Sequence, residues 1–285
     1  YIDNRKFIRQ RGKQNQENLV KPICVLRNKF LFGVVADALG VNTPSLVGII
    51  HGNNFFVFAG HKTILWNDFL SQGEFDVFVK DSNGECGEGI FALQRRKGVL
   101  YVNKKETTIE EINSRINPCL SFIVQERISQ HPALNKIYDK SINTIRLETV
   151  INPKTKEIEI LPPLLRVGTS GHNVDNWAMG GLAIGIDEKG CLKKYGFYKP
   201  SFGTKTTQHP DTEVVFENYS IPFFAEAVDM ARRFHSELHE IHSIGWDIAI
   251  TDAGPCFIEG NDNWEISLVQ ICSKGLQREF EELFF

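Results

Sequence analysis

A chain of 285 residues with 42% hydrophobic side chains is long enough to bury one sizeable core or two linked ones. Its near-balanced charge, −3 at pH 7, excludes a general nucleic-acid binder, which needs a marked basic excess. Six scattered cysteines with no Cys-x-x-Cys pair exclude a disulfide framework, and no apolar run reaches the length of a membrane span, so we expect reduced thiols, no membrane span and a cytoplasmic protein.

Residues 1–21 are polar and are predicted as a surface helix or loose arm. From 22 to 128 helices and strands mix. Apolar residues at helical spacing predict a helix over 28–39, stopped by Gly40. Strands are predicted at 46–50, 55–59 and 76–79, with a short helix at 67–72. A strand pair follows within 92–102. Thr108 caps a helix running to Ile116, and 121–125 reads as a buried strand. The composition turns polar after Glu126, so the boundary between two lobes is placed near 128 and the second lobe spans 129–285. That lobe opens with a hairpin, 144–151 against 157–162, and continues with another turned by Glu188-Lys189-Gly190. An amphipathic helix over 223–242 carries Phe224, Val228, Ala231, Phe234, Leu238 and Ile241 on one stripe. His235, His239 and His242 fall at helical spacing, but the stripe already accounts for the segment. Strand pairs mixed with helices indicate an α+β chain, not a run of βαβ units.

The densest chemistry lies near the end, where two β-rich runs flank Asp252-Ala253-Gly254-Pro255. Counting back from that turn sets Asp247 opposite Glu259, within one residue. Opposed strand residues have Cβ atoms about 4.5–5.5 Å apart, and period two puts Glu259 and Asn261 on one face. Two carboxylates and one amide, crowded among apolar neighbours, call for a cation between them. Oxygen ligands without His or Cys suit Mg²⁺, which keeps water and shares its shell with phosphate. The competing reading is an exposed hairpin with solvated acids.

Three further segments stand out. Lys80 ends an apolar strand and enters a loop with Gly84, Gly87 and Gly89, an arrangement that fits close approach to phosphate or a plain surface turn. Glu126 ends the apolar strand Phe122-Ile123-Val124-Gln125-Glu126, either at a nucleotide base or in solvent. Arg146 and Arg166 each sit within apolar strands, so each needs an anion: a protein carboxylate or a bound phosphate. The polar stretch from Gly171 to Gly181 can cover a ligand or only lead into the next strand. His209 and Asp211 belong to a loop that touches substrate or caps a turn.

From about Pro22 to Leu276 the order of these elements resembles the ATP-grasp superfamily, and within it the sugar-transfer-associated branch. The residues that carry the resemblance are Ile244-Gly245-Trp246-Asp247-Ile248-Ala249-Ile250-Thr251 with Ile258-Glu259-Gly260-Asn261, Asn143-Thr144-Ile145-Arg146, and His209-Pro210-Asp211-Thr212. The resemblance implies two lobes, each an antiparallel or mixed sheet with helices, holding a nucleotide between them. It implies ATP contacts from Lys29 and Lys80, a phosphate flap at Gly84, Gly87 and Gly89, and adenine and ribose at Glu126, with Asp139 as the second acidic ribose contact. It further implies Mg²⁺, two ions, on Asp247, Glu259 and Asn261. Arg146, Arg166 and Asn176 are implied as phosphate or transition-state partners. The activity implied is ATP-dependent ligation of a small carboxylate to an amine through an acyl phosphate, with a uronic-acid-type sugar as the carboxylate in polysaccharide biosynthesis. A carbohydrate or small-molecule kinase and a non-catalytic nucleotide-binding module are the alternatives on the same residues.

Overall fold

The computed structural model describes residues 2–16, 22–84, 89–170, 175, 177–201 and 203–284. Contacts divide the chain into two units, one of residues 28–37 and 43–128, the other of residues 1–27, 38–42 and 129–285. Two helices open the chain, α1 (Asn4–Gln16) and α2 (Ile23–Arg27), and both group with its second half.

The smaller unit begins with α3 (Lys29–Ala38), followed by β1 (Leu46–His51), β2 (Asn54–Val57), β3 (Lys62–Leu65) and α4 (Trp66–Ser71). Then come β4 (Phe75–Asp81), β5 (Phe91–Arg96), β6 (Val99–Val102), β7 (Lys105–Thr107), α5 (Ile109–Asn113) and β8 (Ser121–Glu126). Its eight strands form an antiparallel sheet in the order β3-β2-β1-β8-β4-β5-β6-β7. Last in sequence, β8 is inserted between β1 and β4, which is why it is apolar on both faces. Phe55, Trp66, Leu70, Val77, Val79, Phe91, Ile112 and Val124 fill the core. The Thr108 hydroxyl accepts from Glu111 N–H at 3.3 Å and caps α5, which stops at Asn113, short of the expected Ile116. The short strands β3 and β7 extend beyond the predicted set. Both read as polar runs because they lie at or near the sheet edges.

The larger unit continues with α6 (Pro132–Ile137), β9 (Thr144–Ile151), β10 (Ile158–Ile160), β11 (Leu164–Val167), β12 (Leu182–Ile186), β13 (Leu192–Tyr198) and β14 (Lys205–Thr206). It closes with α7 (Phe224–Glu237), β15 (Ser243–Thr251), β16 (Gly254–Asn261), α8 (Ile266–Cys272) and α9 (Gln277–Phe284). Its sheet is ordered β14-β13-β12-β11-β9-β15-β16, with β10 added beside β9. One face is covered by α7, whose Phe234 stacks on Trp246 at 4.9 Å and lies 6.0 Å from Phe257. The other face lies partly under α8 and a 3-10 turn at Trp177–Met179, where Leu164, Trp177, Ala183, Leu268 and Cys272 pack together. The polar segment 129–141 is not all loop: His131 Nδ1 accepts from Ala133 N–H, Pro132 takes the first helical position, and α6 follows.

Of the two readings for the N-terminal segment, residues 4–16 take the helical one, as α1. Phe7 is fully buried against Trp264, Phe280 and Phe284 (ring centroids 4.7, 5.9 and 5.5 Å), and Arg11 donates to the Trp264 carbonyl. Among the described residues no helix is long and apolar enough to cross a membrane.

Helix α7 ends at Glu237, so only part of the predicted stripe is helical. In its last turn, buried His235 uses Nε2 to hold the Ile241 carbonyl at 2.7 Å, fixing the turn into β15. His242 Nε2 likewise meets the Leu283 carbonyl at 2.9 Å. Burial pushes His235 down to about 4 from its usual 6.5, against the pull of that carbonyl. The folded protein therefore binds fewer protons here than the unfolded chain between these values. Stability is full above pH 6.5 and falls as pH drops toward 4, by about 3 kcal/mol at 1.36 kcal/mol per unit. Urea unfolding of wild type and His235→Gln at pH 7 and pH 4 should show the wild type losing that much more than the variant.

Candidate functional site

Strand β9 alternates strictly: Thr144, Arg146 and Glu148 face one way, Ile145, Leu147 and Thr149 the other. It pairs with β15 so that Arg146 stands opposite Asp247 and Glu148 opposite Gly245, and with β11 so that Thr144 stands opposite Arg166. On the far side of β15 the ribbon pairs Asp247 with Glu259 and Gly245 with Asn261. Opposed residues share a face, so four adjacent strands deliver Arg166, Thr144, Arg146, Glu148, Asp247, Glu259 and Asn261 to one side of the sheet.

The ribbon achieves this with an irregularity. From the turn outward Ile248 pairs with Phe257, yet the next pair is Asp247 with Glu259, so Ile258 is an extra residue in β16. In a regular strand Phe257 and Glu259 would share a face. The bulge sends Phe257 to the apolar side, 5.5 Å from Trp246, and Glu259 to the side of Asp247. The register expected from the turn, Asp247 across from Glu259, is the one found.

Asp247 is the hub. Its Oδ1 accepts from Arg146 Nε at 2.6 Å, and its Oδ2 from Arg146 Nη2 at 3.0 Å. Arg166 Nη2 lies 3.0 Å from Oδ2 as well. Burial alone would raise the Asp247 carboxyl, but the two guanidiniums and hydrogen bonds to Arg146 and Glu259 hold it below the usual range. Arg146 is likewise buried against its charge, and Asp247, Glu148 and Glu259 together raise it. The Asn261 amide nitrogen reaches Asp247 Oδ2 and Glu259 Oε1, each at 3.4 Å, so it lies beside both acids. The partner that Arg146 and Arg166 required is thus a protein carboxylate, and it is the same one for both.

Sequence reading passed over three members. Thr144 Oγ accepts from Arg166 Nε and Nη2 at 3.0 and 2.8 Å and donates to Asp175, whose carboxylate also lies 3.5 Å from Arg166 Nε. Burial raises Asp175, with Arg166 opposing. Glu148 is fully buried, and neither carboxylate oxygen has a hydrogen-bond partner. Burial pushes it up to about 7, with Arg146 pulling the other way. The alternation in Thr144-Ile145-Arg146-Leu147-Glu148 was a visible signal for two of the three; Asp175 lay within a stretch read only as a covering loop.

Around the site four carboxyl groups, Glu148, Asp175, Asp247 and Glu259, face two guanidiniums. That acid excess, with two orphaned oxygens inside it, fits a cation. Among the described residues no three His, Cys, Asp or Glu side chains gather closely enough to hold a metal by themselves. The set is two carboxylates and an amide, and a hard cation there would complete its shell with water and phosphate oxygen. Gly245 matters to this enclosure: a Cβ on it would lie 2.7 Å from Trp264 Cβ, so only glycine lets the segment before α8 close onto this face.

The remaining candidates belong to other elements. In the smaller unit Lys29 and Gly84 meet directly, the lysine ammonium donating to the glycine carbonyl, and Lys29 N–H reaches the Ser82 carbonyl at 2.8 Å. Asn28 caps α3 and bonds Asn83 at 2.9 Å, which ties the helix to the loop after β4. Lys80 lies within β4, its ammonium 5.9 Å over the Phe78 ring, and Gly89 adopts a positive φ of 68°. Glu126 ends β8 exposed and pairs with Val77. Asp139 is exposed after α6. Gly87 and Asn176 lie outside the described residues. The His209-Pro210-Asp211-Thr212 loop is a brace: His209 Nε2 meets the Gly168 carbonyl at 2.9 Å, Asp211 accepts from Ser170 N–H at 2.7 Å, and Thr212 donates to the Ile137 carbonyl at 2.8 Å.

A family model described as sugar-transfer associated ATP-grasp matches residues 7–283. A search of the curated proteins finds no match. Among solved structures, the D-alanine-D-alanine ligase of Helicobacter pylori superposes with a TM-score of 0.52 at 14% identity, over 91% of this chain and 60% of that one. The biotin carboxylase domain of the Hydrogenobacter thermophilus 2-oxoglutarate carboxylase, in complex with MgADP, ADP and bicarbonate, gives 0.50 at 11% identity, over 87% and 43%. At such identities the likeness speaks for the fold, and this chain spans 60% or less of each of these two proteins.

Replacing Asp247 with Asn removes the charge that two buried guanidiniums share. Breaking a buried pair by deleting one partner costs about 3–5 kcal/mol. Urea denaturation should show that loss for Asp247→Asn, and a loss under about 1 kcal/mol for Glu259→Gln, which leaves both arginines their partner.

Proposed function

The chain belongs to the sugar-transfer-associated ATP-grasp family, and from that premise we propose that it is an ATP- and Mg²⁺-dependent ligase joining a small carboxylate to an amine. The observation that carries the reading is the Asp247, Glu259 and Asn261 set, held on one face by the bulge, beside the two guanidiniums of Arg146 and Arg166. Asp247, Glu259 and Asn261 are the residues that would hold Mg²⁺, which supplies charge neutralisation of the triphosphate oxygens. Arg146 and Arg166, already at the cluster, would steady phosphate charge as it shifts. Lys29 and Lys80, with Gly84, Gly87 and Gly89, are assigned to the phosphates, Glu126 and Asp139 to the nucleoside, and Asn176 to the reacting groups.

A carboxylate is a poor acylating agent because oxide leaves badly. Attack by its oxygen on the γ-phosphorus breaks the bond to ADP and gives an acyl phosphate. An amine then attacks the acyl carbon, inorganic phosphate leaves, and the amine loses one proton. The chain contributes positioning and fixed positive charge; no Ser-His-Asp or Cys-His set is required. A uronic-acid-type sugar is assigned as the carboxylate, in polysaccharide building inside the cell, on the strength of the family's description alone.

Phosphate release separates the outcomes. With ATP, Mg²⁺, a uronic acid and an amino acid, phosphate release should depend on both acceptors, and Glu259→Gln should lower kcat/KM about 100-fold or more. A stable phosphorylated sugar with no free phosphate would make the protein a kinase. Nucleotide binding without any product would make it a non-catalytic module.

A further inference from the structure

Both arginines of the cluster are committed to Asp247, and that raises a problem of space. Oδ2 alone receives Arg146 Nη2 at 3.0 Å, Arg166 Nη2 at 3.0 Å and the Asn261 amide at 3.4 Å, while Oδ1 receives Arg146 Nε at 2.6 Å. An N–H and a cation compete for the same lone pairs. Oδ2 is also the oxygen beside Asn261, whose amide reaches Glu259 as well, so a divalent ion shared by the three residues takes Oδ2 and must displace at least one guanidinium there; a displaced guanidinium in a buried site needs another anion.

Each arginine has such a second acid. Arg166 already holds Thr144 Oγ and lies 3.5 Å from Asp175. Arg146 has three acids in its field: Asp247, Glu148 and Glu259. Two of these belong to the ribbon that takes the cation. Glu148 remains. It lies two residues further along the same strand, on the same face, fully buried and with both oxygens unpartnered. Residues i and i+2 of a strand are about 6.5–7 Å apart, a span that a rotating guanidinium on a three-carbon stem covers. A buried carboxylate without a partner is costly and calls for a reason.

We infer that Glu148 is the positioning residue that receives Arg146 when a divalent cation takes Asp247. The two carboxylates are alternative seats for one guanidinium: Asp247 in the free protein, Glu148 in the loaded one. The inference rests on the ligase reading's assignment of the cation to Asp247.

Calorimetric titration with Mg²⁺·ADP at pH 8, on wild type and Glu148→Gln, reads the loaded state, and thermal melting without metal or nucleotide reads the free one. A neutral amide accepts a weaker bond from Arg146, so the variant should take up Mg²⁺·ADP about tenfold more weakly. Relieved of an orphaned buried carboxylate, the free variant should melt higher than wild type. A purely structural Glu148 would weaken both, and an idle one would leave binding unchanged; either result, or a variant that does not fold, overturns the inference. A crystal structure of the wild type with Mg²⁺·ADP decides the matter independently. Arg146 bonded to Glu148 supports the exchange, and Arg146 still bidentate on Asp247 beside the ion ends it. If the wild type takes up nucleotide but the variant is indistinguishable, only the exchange fails. If the wild type shows no Mg²⁺-dependent uptake, the ligase reading falls and the exchange with it.

Discussion

One buried carboxylate gripped by two guanidiniums organises the larger unit. Asp247, Arg146 and Arg166 lie on three neighbouring strands in the middle of a sheet, where unpaired charge would be intolerable. Each needs the others in register, so the pairing of β9 with both β11 and β15 is tied to these charges. The opposite face shows what the sheet does without that demand: Phe234, Trp246 and Phe257 close into an ordinary aromatic core. Two faces of one sheet thus divide an aromatic core from a charged cluster, and the strand period of two keeps them apart.

The cluster is not electrically complete. Acids outnumber guanidiniums, Asp175 and Glu148 are both raised by burial, and the Asn261 amide lies against two carboxylates. An acid excess of this kind suits a cation, which would bring the interior closer to neutrality. The surrounding elements hold the arrangement rigid. Trp264 sits over Gly245, Phe7 and Arg11 of α1 hold Trp264, and Arg27 grips Asp262, the residue after Asn261, at 3.0 and 2.6 Å.

Much of this was legible in the residues. The α+β class, the main hairpins and the pairing of Asp247 with Glu259 followed from turn chemistry and period two. What escaped reading had physical causes. The helix α6 begins on His131 and Pro132, a start that looks like loop composition. The N-terminal helix is polar on average and shows its purpose only through Phe7. Neither arginine could be assigned between phosphate and carboxylate, because the sheet order that brings β11 beside β9 is not local information. Glu148 stood in plain alternation with Arg146, yet an acid inside an apolar strand is informative only once its partners, or their absence, are known.

The extra residue Ile258 carries a consequence for how this ribbon can change over generations. Substitutions in it are graded: a smaller side chain weakens packing, a larger one strains it. A slip in register is not. Were the ladder to run on regularly past Ile248 and Phe257 with every residue kept, Ile258 would stand opposite Asp247 and Glu259 would turn to the oily side. The irregular spacing is therefore what keeps that acid beside Asp247, and it is the part of the ribbon that descent can least afford to smooth away.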